Sequence, residues 1–172
     1  MKFSTRLALI VVTLIACVGC DQAIKQVAKE TLTHDSAITF LAGGVRLQLA
    51  HNDGAFLSLG ASLPAAWRHG LLSIGVGCVL AGLLIYALVG RGVSRVHVFA
   101  FAMVGGGGFS NLLDRLMYGG YVVDYINVGV NIGAVSLRTG IFNAADVCIS
   151  LGVVLLLTGE FLERRFRRMQ AS

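Results

Sequence analysis

Residues 70–90 carry no charged side chain. About 20 consecutive apolar residues make a helix that crosses bilayer hydrocarbon. A chain with such a run folds around lipid as well as around its own core. Three more apolar runs accompany it: Leu7–Cys20, which can extend as a helix through Asp21 toward Ala28, Val96–Leu113 and Ile141–Gly159. Spans are therefore expected near residues 7–28, 70–90, 96–113 and 141–159. The chain is 56% hydrophobic and only 13% charged, with a mean hydropathy of +0.78. A soluble domain usually has about 25% charged residues. The expectation is one integral membrane domain over residues 1–172, mainly α.

The basic residues orient it. Lys2 and Arg6 precede the first run, Arg91 and Arg95 separate the second and third, and Arg164, Arg165, Arg167 and Arg168 follow the fourth. Basic loops stay in the cytoplasm. Four spans with both termini cytoplasmic satisfy every group, and segments 20–69 and 114–140 then face outward. The C-terminal arginines read as an anchor on anionic lipid. The net charge of +5 is otherwise scattered, which argues against a nucleic-acid partner.

Cys17 and Cys20 have CxxC spacing, but no second CxxC and no histidine pair accompanies them. Cys17, Cys20, Cys78 and Cys148 are read as buried packing residues. His34, His51, His69 and His97 lack metal-ligand spacing, so no metal is assigned. Lys2 and Arg6, the following apolar run and Val18-Gly19-Cys20 resemble a lipoprotein signal with its cleavage box. Cys17, where such boxes usually have Leu, and the three spans that follow speak against it.

The outward segments carry strand patterns. Ala37–Leu41 and Val45–Leu49 read as a hairpin turning at Gly43-Gly44. Val45, Leu47 and Leu49 alternate with Arg46 and Gln48, the pattern of a half-buried strand. Leu63–His69, with Trp67, suits the membrane interface. Tyr121–Val130 reads as another extended piece, and Asn127–Gly140 as a long loop rich in Gly and Asn. Gly105–Gly108 lacks the Lys-Ser/Thr of a phosphate loop and reads as close helix packing, with Gly106 and Ser110 at small-xxx-small spacing.

Polar residues collect where spans one and three end and span four begins. Asp21 and Lys25 share a helix face at i, i+4 and read as an interfacial ion pair. Asn111, Asp114 and Arg115 share a face at i, i+3, i+4, and Asn143 and Asp146 do so at i, i+3. Asp146 sits inside an apolar run with no basic neighbour, and Asp124 is flanked by Val122, Val123, Tyr125 and Ile126. A charged carboxylate in hydrocarbon costs at least ~2.5 kcal/mol and is by default a functional-site candidate. Burial should make Asp124 hold its proton more tightly. Two such carboxyls that meet can share one proton and activate water between them, as in an aspartic protease. Two other readings use the same residues: a small proton-coupled transporter or channel subunit, or a scaffold without chemistry. A transporter would spread polar residues through the full depth of the bilayer.

Five blocks together carry a resemblance. They are Asp21-Gln-Ala-Ile-Lys25, Asn52-Asp-Gly54-Ala55-Phe56, Gly105 to Arg115 ending Asn111-Leu-Leu-Asp114-Arg115, Val122-Val-Asp124-Tyr-Ile126, and Phe142-Asn143-Ala-Ala-Asp146. In this order the chain resembles the lipoprotein signal peptidases, the type II signal peptidases of bacteria. The resemblance implies four transmembrane helices with a small periplasmic β-cradle, in the bacterial cytoplasmic (inner) membrane, with the active site near the periplasmic face. It implies an aspartic endopeptidase that removes the signal peptide from diacylglyceryl-modified prolipoproteins, cutting before the lipidated Cys. Asp124 and Asp146 match the catalytic pair. Asp21, Lys25, Asn52, Gly54, Asn111, Asp114, Arg115 and Asn143 match the positions that bind substrate or support the pair. No cofactor or metal is implied. The implied partners are diacylated prolipoprotein signal peptides, membrane lipid and inhibitors of the globomycin type. Phe109 and Ser110 stand where the family usually has an aliphatic residue and Gly, and Gly140-Ile141 stands where a Pro is common.

Overall fold

The structure, a computed structural model, describes residues 1–54, 70–132 and 135–171. The expected interfacial segment Leu63–His69, and Ala55 and Phe56 of the second block, lie outside these residues. Helix α1 spans Phe3–Thr31, α2 Val76–Val89, α3 Arg95–Met117 and α4 Ala144–Ala171. A wider π-helical turn, Gly70–Gly75, leads into α2. By length and composition α1 and α3 are apolar and long enough to cross a membrane, while Ser73–Val89 and Ala144–Gly159 are shorter apolar helices.

All four expected apolar runs are helical, with different ends. Span four was expected to begin at Ile141, but α4 begins at Ala144. The preceding residues are extended instead: Phe142 and Ile126 exchange both backbone hydrogen bonds at 2.8 Å. An apolar run cannot mark a helix start; the capping residue Asn143 does that.

Helix α3 is central and packs against α1, α2 and α4. Its four consecutive glycines explain how. A Cβ on Gly105 or Gly108 would meet Leu84 or Leu80 of α2, one on Gly106 would meet Cys17 of α1, and one on Gly107 would meet the Ala145 carbonyl of α4. Backbones this close need glycine. At the far end from the polar residues, Ile10, Ala87, Val98 and Ala102 form a buried apolar cluster.

The outer helix faces are apolar, as at Val12, Ile15, Val79, Ile85 and Leu157, while Asp21, Lys25, Asp114 and Asn143 are buried. That is the reverse of a water-soluble bundle. Cys20 and Cys78 lie on the outer faces as well, whereas Cys17 is buried and Cys148 half-buried. The expectation that all four cysteines pack inside thus fails for two, because a thiol is apolar enough for a lipid-facing surface.

Four antiparallel strands cover the polar end in the order β1-β2-β3-β4: Ile38–Phe40, Val45–Asn52, Val122–Ile132 and Val135–Arg138. The first hairpin is as expected, but it turns at Leu41–Gly43, with Leu41 and Ala42 at positive φ, rather than at Gly43-Gly44. Nor does β2 alternate simply: Val45, Arg46, Leu47 and Gln48 are all half-buried and only Leu49 is buried. The cause is a bulge. Leu47 pairs with Ile126, but Ala50 pairs with Asp124, so β2 carries one extra residue there. Bulges re-aim side chains and occur beside functional sites.

The expected loop Asn127–Gly140 is largely hairpin, since β3 runs on to Ile132 and β4 returns from Val135. Gly- and Asn-rich composition signals a turn, but strand pairing decides its extent. At the end of α3, Gly119 and Gly120 take positive φ and the Gly120 N–H donates to the Arg115 carbonyl at 2.8 Å. This left-handed turn folds β3 back over α3.

Candidate active site

The start of α4 organises the site. The first N–H groups of a helix lack partners within it. Here side chains from three segments satisfy four of them. The Asn143 N–H donates to Asp146 Oδ2 at 3.3 Å, Ala144 to the Tyr125 hydroxyl at 3.1 Å, Ala145 to Asp21 Oδ1 at 3.0 Å, and Asp146 to Asn143 Oδ1 at 3.0 Å. Asn143 and Asp146 form a capping box, with Asp in place of the usual Glu or Gln. The carboxylates of Asp21 and Asp146 also suit the positive end of the helix dipole.

Asn143 also reaches β3. Its Nδ2 donates to Asp124 Oδ1 at 2.6 Å, to Asn111 Oδ1 at 3.1 Å and to the Val123 carbonyl at 3.3 Å. Asn111 Nδ2 donates in turn to Asp146 Oδ1 at 3.0 Å. The second oxygen of Asp124 accepts from Asn52 Nδ2 at 3.0 Å. The bulge in β2 sets that register, placing Asn52 opposite Val122, on the face that carries Asp124. Asn52 Oδ1 accepts from the Gly54 N–H at 3.0 Å, and the Gly54 carbonyl accepts from Arg115 Nη2 at 2.8 Å.

Behind these residues lies a buried ionic core. Lys25 Nζ donates to Asp21 Oδ2 at 2.7 Å, Asp114 Oδ2 at 2.8 Å and Asn111 Oδ1 at 2.9 Å. Three ammonium protons meet three acceptors. The sequence pair Asp21–Lys25 exists, but it is not interfacial: Asp21 is 0% and Lys25 2% exposed. Asp114 holds β3 as well, accepting from the Val123 N–H at 3.0 Å.

Spacing did not single out Gln22 or Tyr125, and it gave Ser110 only a packing role beside Gly106. Gln22 Nε2 donates to Asp114 Oδ1 at 2.7 Å, and the Ser110 hydroxyl donates to Asp21 Oδ2 at 2.7 Å. Gln22 adjoins Asp21 and Ser110 adjoins Asn111, so adjacency to the polar positions was the signal that could have found their hydrogen bonds. Ser110, a departure from the usual family residue, thus has a partner of its own.

A cavity of about 680 Å³ opens beside the network. Asp124, Asp146, Asn52, Asn111 and Arg115 line its polar end, and Ile141, Phe142, Val147 and Leu151 its apolar length. Asn143, Asp21, Lys25 and Asp114 stand behind the wall and Gly54 beside Arg115. Burial pushes the Asp124 carboxyl up to about 7. The Asn52 and Asn143 hydrogen bonds oppose the shift, and the nearby Asp146 adds to it. Arg115 Nε is buried without a partner. Among the described residues, no group of three or more His, Cys, Asp or Glu side chains is placed to hold a metal ion.

The helices thus have apolar outer faces, a polar network at one end and two carboxyls on an apolar-walled cavity. Comparison with known proteins gives the family. Residues 13–162 match the family model described as signal peptidase (SPase) II. The chain is 34% identical over 154 residues to a lipoprotein signal peptidase of Helicobacter pylori (strain Shi470), covering 89% of this chain and 87% of that one. It is 32% identical over 168 residues to one of Bifidobacterium adolescentis, covering 92% and 81%. The chain belongs to the signal peptidase II family. Its fold resembles a solved bacterial membrane enzyme determined in meso, with a TM-score of 0.73, 20% identity and coverage of 94% of this chain and 90% of the other.

Proposed function

We propose that this chain is an intramembrane aspartic endopeptidase that removes the signal peptide from diacylglyceryl-modified prolipoproteins, cutting before the lipidated Cys. Asp124 and Asp146 are its catalytic pair. The carrying observation is that both carboxyls line one cavity and are joined through Asn143, whose side chain donates to Asp124 Oδ1 and whose backbone N–H donates to Asp146 Oδ2. One carboxylate takes a proton from water as that water attacks the scissile carbonyl, and the other, protonated, polarises the carbonyl oxygen. The pair shares one proton and titrates as a unit. Arg115 lines the same cavity and its guanidinium is suited to hold the tetrahedral oxygen. The apolar length along Val147 and Leu151 suits lipid chains and signal helix.

Residues 1–172 form one domain with spans near 7–28, 70–90, 96–113 and 141–159, in the bacterial cytoplasmic membrane. Both termini are cytoplasmic and the sheet is periplasmic. A proton transporter would carry polar residues through the full depth of the bilayer, but Ile10, Ala87, Val98 and Ala102 form a buried apolar cluster beyond the polar network. By family resemblance, globomycin-type cyclic peptides inhibit this chain. The test incubates purified protein with a diacylated prolipoprotein and follows release of the signal peptide. Cleavage is expected for the native chain, with a loss of at least ~100-fold for Asp124→Asn or Asp146→Asn. Near-normal turnover in either variant would remove the pair from the mechanism.

A further inference from the structure

Ser150 is a polar residue in the apolar length of the active-site cavity. It lines that wall with Val147 and Leu151, and it is exposed. On α4 it stands at i+4 from Asp146, so the two share a helix face. The rise of the helix puts it about 6 Å farther along the axis, away from the sheet. A second hydroxyl on the wall, that of Thr139, already accepts from the Val128 N–H at 3.0 Å.

The wall around Ser150 leads to lipid. Val147, Leu151 and Val154 are exposed apolar residues of the same helix. A ligand that fits here is hydrocarbon with a hydrogen-bond acceptor one helical turn from the carboxyls. When such a ligand shuts out water, the hydroxyl needs that acceptor, because a buried polar group without a partner is costly. The proposed substrate has this combination. From the bond to be cut, the cysteine side chain, its thioether and two glycerol carbons lead to a fatty-acid ester. The ester carbonyl accepts a hydrogen bond, and a serine hydroxyl donates one. Beyond the ester the acyl chain continues along Leu151 toward the outer face of α4.

We infer that Ser150 is a specificity-determining residue whose hydroxyl donates to an ester carbonyl of the substrate's diacylglyceryl group while the scissile bond lies at Asp124 and Asp146. The inference rests on the proposed peptidase reading and deepens it. The chain then selects an ester-linked glycerol, and not hydrocarbon alone. The same contact sets the depth at which the lipid sits relative to the carboxyls.

Two synthetic lipopeptides test this. They share one signal sequence and one cleavage-site cysteine. One carries a glycerol with two fatty-acid esters, and the other the same glycerol with two alkyl ethers of matched length, which lack the carbonyls. The native chain is expected to show a KM about fivefold lower for the diester, the value of one neutral hydrogen bond. Ser150→Val and Ser150→Thr have nearly the same shape and differ in the hydroxyl. Ser150→Val should raise KM for the diester about fivefold without changing kcat, the mark of lost ground-state binding, and leave the diether unchanged. Ser150→Thr should keep the native preference. Equal KM values for the two variants on the diester would overturn the contact. An equal loss on both substrates would overturn it as well, by placing the hydroxyl on the peptide. A native chain that cleaves neither lipopeptide would remove the peptidase reading itself, so the two failures are distinguishable.

Discussion

Asn143 and Asp146 cap each other across the first turn of α4: the Asp146 N–H donates to Asn143 Oδ1 at 3.0 Å, and the Asn143 N–H donates to Asp146 Oδ2 at 3.3 Å. The same Asn143 side chain donates to Asp124 at 2.6 Å. One residue therefore starts the helix with its side-chain oxygen, holds Asp124 with its side-chain nitrogen and meets Asp146 with its backbone N–H. The two side-chain duties are separable by mutation.

Asn143→Ser keeps a capping oxygen but cannot reach Asp124. Its stability should stay near that of the native protein, while cleavage falls about 10–100-fold, the value of a hydrogen bond to a charged group. Asn143→Ala should lose the same activity and in addition about 1 kcal/mol of stability. Thermal unfolding and prolipoprotein processing on the same preparations check both. Equal stability loss in the two variants would mean that the cap is not what Asn143 supplies.

The pH dependence follows from Asp124. Its folded-state value of about 7 lies above the ordinary 3.8. Between these values the folded protein holds a proton that the unfolded chain releases, so the contribution of Asp124 to stability is complete below about pH 4 and is lost as pH rises through 7. The slope is at most about 1.4 kcal/mol per pH unit. Asp124→Asn should remove it, which unfolding of both proteins at pH 5 and 8 would reveal. Cleavage should follow a bell and fall above about pH 7 as the pair loses its shared proton. Activity still rising at alkaline pH would point to another nucleophile.

Lys25→Met leaves the buried carboxylates of Asp21 and Asp114 without their cation. Removing one member of a buried ionic group costs about 3–5 kcal/mol. The variant should unfold at lower temperature or denaturant. Adding Asp21→Asn and Asp114→Asn should restore part of the loss. No recovery would mean that the ammonium serves mainly as the Asn111 donor.

Gly107→Ala puts a methyl against the Ala145 carbonyl and 2.8 Å from Ile149 Cγ1. It should cost about 1–3 kcal/mol and reduce cleavage, because Ala145 adjoins Asp146. Gly19→Ala on α1 meets nothing within 4 Å and should stabilise the helix by up to about 1 kcal/mol. Equal effects of the two substitutions in unfolding experiments would argue against the close approach of α3 and α4.

Local patterns reach as far as local physics does. The uncharged run at 70–90 and its three companions marked where the four helices lie but not where they begin or end, because apolarity along one contiguous stretch carries no capping signal. Helical spacing likewise put Asp21 with Lys25, and Asn111 with Asp114 and Arg115, on common faces. What those faces meet is a matter of packing between distant segments. That Lys25 serves Asp114 as well as Asp21, that Asp21 caps α4, and that Asn143 joins Asp124 to Asp146 depend on the glycines that bring α3 close to α1, α2 and α4. The Asn52–Asp124 bond depends on one extra residue in β2, since strand register is fixed by pairing with β3 and not by the alternation of Val45, Leu47 and Leu49. Only the tertiary structure could decide these contacts, because each satisfies a buried polar group with a partner remote in sequence.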